Sequence, residues 1–433
     1  MWFHSEHNFH TRTARDYSIF VTVAAFIGYA FTLAMNAVAA HILPQVEFGE
    51  FSSAVAMVGI ICTCATLGLE KYALRLLPQY IVAADLRGVK GYICFGVAIC
   101  ILVGVAISIG AFSLYTLFKI ETQNLNVLAQ ILWFVPVIAI FLFALEIATT
   151  FGAIIWSTAI YRIIFPFITL VGMAALSWRA ATSSVGEAVN VYGFSWVFAL
   201  VLMLWVMHQS APKGLYLSPF SFAIKKWLIE GVEYLGFSLL MTVFSQAAIL
   251  TIEVVRGDRI SVGLIAAAMQ ISTLVIIVQT ATMRVFGPRL AILIAAKDAI
   301  GQRQLMRRRA WFMFLFGIAF FAAVVMFGRE MLDLFGAEYK VAYQALVVLT
   351  IGNVVNTILG FAPTYLQFHE AHRITLKIAA LGTIVGILVM GITAAYGTYL
   401  DVAYAYSFSV IAMYGAFQIA AMVMSKRVIS AQS

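Results

Sequence analysis

The residues with most to offer chemically lie on one apparent helix face between Ser52 and Glu70. Ser52, Ala56, Gly59, Thr63, Thr66 and Glu70 follow one another at intervals of four and three, which places them on one side of a helix. The face is small and hydroxyl-bearing, and it ends in a carboxylate. A shift of 214 positions leads to Ala266, Gln270, Thr273, Ile277, Thr280 and Arg284, a second small and polar stripe ending in the opposite charge. Hydroxyl and amide groups make weak, exchangeable hydrogen bonds with a polar solute, and Arg suits phosphate through its paired donors. Two readings follow. The stripes line one cavity with Glu70 and Arg284 flanking its mouth, or they are small-residue faces through which helices pack in lipid.

Two further stripes resemble these. Thr22, Tyr29, Thr32 and Asn36 share a face, as do Ser238, Thr242 and Ser245 with Gln246 beside them. An unpaired amide facing lipid is costly, so Asn36 and Gln246 are expected to point inward. Asn353, Asn356 and Gly360 share another face ahead of Pro363, and Pro136 and Pro166 are expected to kink their own segments. Arg75, Arg162 and Arg284 sit at the ends of apolar stretches, where an anionic group would be captured. No spacing for metal ligands, no nucleophile beside a base and no phosphate-binding loop is present, so no catalytic residue, metal or cofactor is expected. Cys62, Cys64, Cys94 and Cys100 fall inside apolar runs and read as small hydrophobes.

These stripes must be positioned by membrane helices. Charged residues make up 11% of the 433 residues and apolar ones 63%, against roughly 25% charged in soluble globular proteins. A soluble fold could not cover its surface with so few charges. Stretches free of Asp, Glu, Lys and Arg run 17–46, 51–69, 91–118, 122–145, 163–178, 188–212, 234–252, 260–283, 310–328, 341–369, 378–400 and 402–425. Each approaches the roughly 20 residues that cross a hydrocarbon core of about 30 Å, the fifth once it is extended back to Tyr161. With the amino terminus inside, all the Lys and Arg residues except Lys119, Arg179, Arg256, Arg259, Arg329 and Lys340 fall on the cytoplasmic side. The net charge of +8 is thus mostly topology, and nucleic acid is not an expected partner. The basic segment 284–309 is expected to meet anionic membrane lipid. No span carries an acid at its midplane, which argues against obligate ion coupling.

The fold class expected is an all-α polytopic membrane protein of about 12 transmembrane helices, in two six-helix lobes around a central cavity. Residues 1–208 would form the amino-terminal lobe, 209–233 a cytoplasmic connection, and 234–433 the carboxy-terminal lobe. Parallel repeats of this kind place a substrate between the halves.

Several segments resemble a known family. Met331-Leu332-Asp333-Leu334-Phe335-Gly336-Ala337-Glu338-Tyr339, followed by Ala342 and Leu346, is similar to a segment of lipid-linked oligosaccharide flippases. These belong to the multidrug/oligosaccharidyl-lipid/polysaccharide exporter superfamily. Glu47-Phe48-Gly49-Glu50-Phe51, Gly68-Leu69 with Arg75, and Val262-Gly263 with Ala266-Ala267 resemble the same family. Gln367–Arg373 departs from it, because a glycine-bearing turn is usual there. The resemblance implies that spans 1, 2, 7 and 8 line a cavity opening alternately to either side. It further implies a glycan on a polyprenyl diphosphate as substrate, moved across a bacterial inner membrane with both termini cytoplasmic. Polysaccharide polymerase and glycosyltransferase machinery would then be partners. On that basis the substrate-binding candidates are Asn36, Thr63, Thr66, Glu70, Arg75, Arg162, Gln246, Gln270, Thr273, Thr280 and Arg284, with Glu70 and Arg284 pairing when the cytoplasmic side closes. An ion-coupled multidrug exporter of the same superfamily and a non-transporting scaffold of polysaccharide assembly are the rival readings.

Overall fold

In the computed structural model, which describes residues 12–118, 124–179 and 184–430, the chain is all-helical. The first lobe contains α1 (Arg12–Ile42), α2 (Gln45–Ala65), α3 (Leu69–Val82), α4 (Leu86–Phe118), α5 (Asn124–Leu132), α6 (Val135–Thr150), α7 (Ile154–Ala159), α8 (Phe165–Arg179) and α9 (Val185–Ser210). The second contains α10 (Ile224–Arg256), α11 (Arg259–Ser272), α12 (Val275–Ala295), α13 (Ala299–Asp333), α14 (Tyr343–Leu359), α15 (Ala362–Phe368), α16 (His372–Tyr396) and α17 (Tyr399–Ser430). Among the described residues, ten segments are long and apolar enough to cross a membrane. The two further apolar helices, α6 and α11, are halves of interrupted spans, which completes the twelve expected.

The interruptions have local causes. Pro136 lies in the first turn of α6, just past the break that separates it from α5. Pro363 does the same for α15, after α14 has ended at Leu359. Pro166, second in α8, follows a π-helical turn at Ile160–Ile164. Lacking an N–H, it leaves the Arg162 carbonyl four residues earlier without its helical donor; that carbonyl rests against Gly28 of α1. Between α2 and α3 the chain turns through Gly68 at φ +70°, a conformation that excludes most side chains.

Breaking a helix in an apolar medium frees backbone carbonyls that must find donors. Span 10 solves this with Arg309 of α13, only 1% exposed, whose guanidinium donates to the carbonyls of Thr357 and Ile358 at 3.5 and 3.4 Å. It also lies over the Phe361 ring at 4.8 Å. The charge count had assigned Arg309 to the cytoplasmic face; the structure buries it as a cap for the broken helix. Asn353 of α14 donates to Ser272 at 3.0 Å and ties span 10 to the break in span 8.

The internal repeat is visible in the element boundaries. α1 ends at Ile42 and α10 at Arg256; α2 begins at Gln45 and α11 at Arg259; α9 begins at Val185 and α17 at Tyr399. Each pair lies 214 residues apart, the offset read from the polar stripes.

Candidate functional site

The candidate site is the seam between the lobes, built by α1, α2 and α3 from one side and α10, α11 and α12 from the other. At one end α2 crosses α11 and the two pack closely. Gly49 makes the approach possible, because a side-chain carbon there would collide with the Arg259 carbonyl. Gly263 meets Gln45 in the same way, its Cβ position lying 3.2 Å from the Gln45 carbonyl oxygen. Adding 214 to Gly49 and Gln45 gives Gly263 and Arg259, so the two contacts are one contact repeated by the pseudo-twofold axis. Phe48, fully buried, adds edge-to-face contact with Tyr339 of the second lobe at 5.7 Å.

An ion pair fastens this closed end. Arg259, at the start of α11, donates to Glu50 of α2, with 19% and 5% of the side chains exposed. Glu253, from the end of α10, lies within electrostatic reach of both. Glu47 accepts the backbone N–H of Val185 at 2.7 Å, which caps α9 where its dipole favours negative charge. The sequence had placed Glu50 and Arg259 in or beside outer loops as boundary charges. A usable signal was present: both lie near the starts of helices that the 214 offset makes equivalent.

The opposite end is different. α3 packs on α10 and α1 on α12, but among the described residues no comparable packing joins α3 to α12. The second halves of spans 2 and 8 are therefore parted while their first halves are locked. Tyr72 and Tyr234 meet as tilted rings across the α3–α10 side at 5.9 Å, and Arg75 reaches the Tyr234 hydroxyl at 3.4 Å. Arg75 is exposed. Lys71 pairs with Glu146 of α6 at 2.6 Å. Arg162 lies half-buried over the rings of Tyr161 and Tyr29, at 4.8 and 5.5 Å, where spans 1 and 5 meet.

The hydroxyls of the stripes share one arrangement. Thr63 donates to Gly59 at 2.9 Å, Thr66 to Thr63 at 3.0 Å, Thr273 to Met269 at 2.8 Å and Thr280 to Ile276 at 3.1 Å. Each donation goes to the residue's own helix or its break. Thr66 is fully buried against Glu70, whereas the partly exposed oxygens of Thr63, Thr273 and Thr280 keep lone pairs that can accept from a solute. Asn36, buried, donates to Thr32 at 2.9 Å within α1. Gln246 and Gln270 are half-buried on α10 and α11.

Glu70 departs from its expected place. Gly68 resets the helical phase, so the i, i+4 step from Thr66 no longer holds Glu70 on the stripe. It is 6% exposed and turned into the first lobe, with Thr66 as hydrogen-bonding partner and Lys71 and Glu146 nearby. It does not flank a cavity mouth in this conformation. Arg284 falls within α12, but its side chain lies outside the described residues, and so does the expected pairing with Glu70.

No protein-family model and no curated protein sequence matches this chain. Solved structures do match its fold. An inward-facing conformation of a multidrug resistance MATE family transporter of the MOP superfamily superposes with a TM-score of 0.73 at 14% identity, covering 96% of this chain and 100% of the other. An outward-facing conformation of such a transporter gives 0.68 at 13% identity, with 96% and 97% covered. A MOP superfamily transporter from Pyrococcus furiosus, described as having a binding pocket of reverse polarity that suggests a different function, gives 0.64 at 13% identity, with 96% of each chain covered. The fold is thus the two-lobed, twelve-helix fold of these transporters.

Proposed function

We propose that this chain is an alternating-access exporter in a bacterial inner membrane, held here with its seam locked on the outer side and parted toward the cytoplasm. The observation that carries the reading is the asymmetry of the seam. The Glu50–Arg259 ion pair and the two reciprocal glycine contacts lock α2 to α11, while α3 and α12 stand apart. A higher TM-score against the inward-facing than the outward-facing structure supports the same state.

The cargo we infer is amphipathic with an anionic head. Arg75 and Arg162 stand at the parted end, Lys71 beside them is taken up by Glu146, and Glu70 is withdrawn into the lobe. An anion entering there meets guanidinium donors first and acceptor hydroxyls deeper in, which hold a polyhydroxylated body through weak bonds. A glycan on a polyprenyl diphosphate, supplied by glycosyltransferases and passed to a polymerase, is the narrow form of this reading and rests on the sequence resemblance. The broader form is a multidrug exporter of the same superfamily, and the multidrug transporters that share the fold support it better than the narrow form. The reverse-polarity pocket described for the Pyrococcus protein supports reading cargo from pocket charge rather than from fold.

Two measurements on a deletion strain separate the forms. Resistance to amphipathic compounds that falls on deletion and returns with the gene supports the drug exporter. A lipid-linked glycan trapped in the inner leaflet supports the flippase. If only cationic compounds are exported, and Arg162→Gln leaves their export unchanged, the anionic cargo is refuted.

A further inference from the structure

A groove of about 530 Å³ runs between α10 and α16, on the side of α10 away from the Ser238–Thr242–Ser245 stripe. Val243, Ala247, Leu250 and Val254 form one wall, and Leu388, Gly391 and Ala395 belong to the other. The wall on α10, from Val243 to Val254, spans about 16 Å at 1.5 Å per residue. That is one leaflet of a core about 30 Å thick. Thr251 also lines it, but its hydroxyl donates to Ala247 at 2.6 Å and so is spent within the helix. A cavity lined this way stays dry and favours an apolar occupant.

Two observations indicate which occupant. At the outer rim, where α10 ends, Arg256 donates to the Gly397 carbonyl that closes α16. That carbonyl uses only part of a guanidinium with five N–H donors. The nearby Asp401 carboxylate lies within electrostatic reach of Arg256 but makes no ion pair with it, and its Oδ2 accepts from the Thr398 backbone and hydroxyl at 2.6 and 2.8 Å. A cation with donors to spare therefore stands at headgroup height above an apolar slot, the charge pattern complementary to a phosphate with a chain below it. The second observation is Gly391. Its Cβ position meets nothing within 4 Å, although glycine inside a helix is unfavourable. No packing neighbour requires it, and its lack of a side chain leaves the slot open.

We propose that this groove is a specific site for one acyl chain of an anionic glycerophospholipid of the outer leaflet, with its phosphate on Arg256. The full chain should be reconstituted in phosphatidylcholine vesicles doped with a diazirine-tailed phosphatidylglycerol, photolysed, and mapped by peptide mass spectrometry. Labels should concentrate on 243–255 and 387–396. Gly391→Phe fills open space and should cut labelling there about tenfold, the effect of about 1.4 kcal/mol on occupancy. Arg256→Gln should reduce phosphatidylglycerol labelling to that of a diazirine-tailed phosphatidylcholine. Labels spread evenly over all lipid-facing helices would overturn the site, and so would a groove signal untouched by Gly391→Phe. Should that variant fail to fold, the labelling map of the unaltered protein decides the matter alone. Equal labelling by both lipids in the unaltered protein would overturn the assignment of the headgroup.

Discussion

Replacing Glu50 by Gln should shift the protein toward the state in which α2 and α11 part. The shape of the side chain is kept and only its charge is lost. Removing one partner of a fully buried ion pair costs about 3–5 kcal/mol, mostly by stranding the other charge. Here Arg259 retains 19% exposure and Glu253 lies near enough to take it over, so the smaller figure of about 2 kcal/mol applies. The pair joins the two lobes across the locked end, so nearly all of that loss falls on the locked state. An energy of about 2 kcal/mol moves a two-state equilibrium about 30-fold. A population of a few percent would become comparable to the locked one. Spin labels at Gln45 and Ser261, in a background without Cys62, Cys64, Cys94 and Cys100, read this as a second, longer distance in pulsed electron resonance. Exchanging the charges, Glu50→Arg with Arg259→Glu, should restore much of the short distance. The reasoning fails if Glu50→Gln lowers thermal stability yet leaves the distance distribution unchanged. In that case the pair stabilises the fold without holding the seam.

Gly263→Leu should oppose locking even with the ion pair intact, because its side chain must fit against Gln45; the same spin labels should report the long distance. Arg162→Gln should weaken uptake of an anionic amphiphile about tenfold and flatten its dependence on salt, measured as binding to purified protein. Arg309→Leu should destabilise by about 2–4 kcal/mol in denaturant titration, since it strands two buried carbonyls at once.

The sequence by itself determined the class, the number of spans and the repeat. Hydrophobic run length is set by bilayer thickness, and that constraint acts on each segment alone. The three prolines marked interrupted helices for an equally local reason, the missing N–H. The 214 offset was legible because both lobes use small residues where their second helices cross, at Gly49 and Gly263. Other features depended on relations between segments. Glu50 and Arg259 lie 209 positions apart, and nothing in either neighbourhood states that they meet. Arg309 looked like one more basic residue at a membrane edge, and only the freed carbonyls of span 10 explain its burial. Glu70 fitted the stripe by counting, and Gly68 moved it off, since a positive φ shifts the phase of every residue beyond it. Periodicity survives only while a helix is unbroken. Where this chain breaks its helices, at the seam and beside it, tertiary structure decided which polar groups line the seam and which hold the lobes.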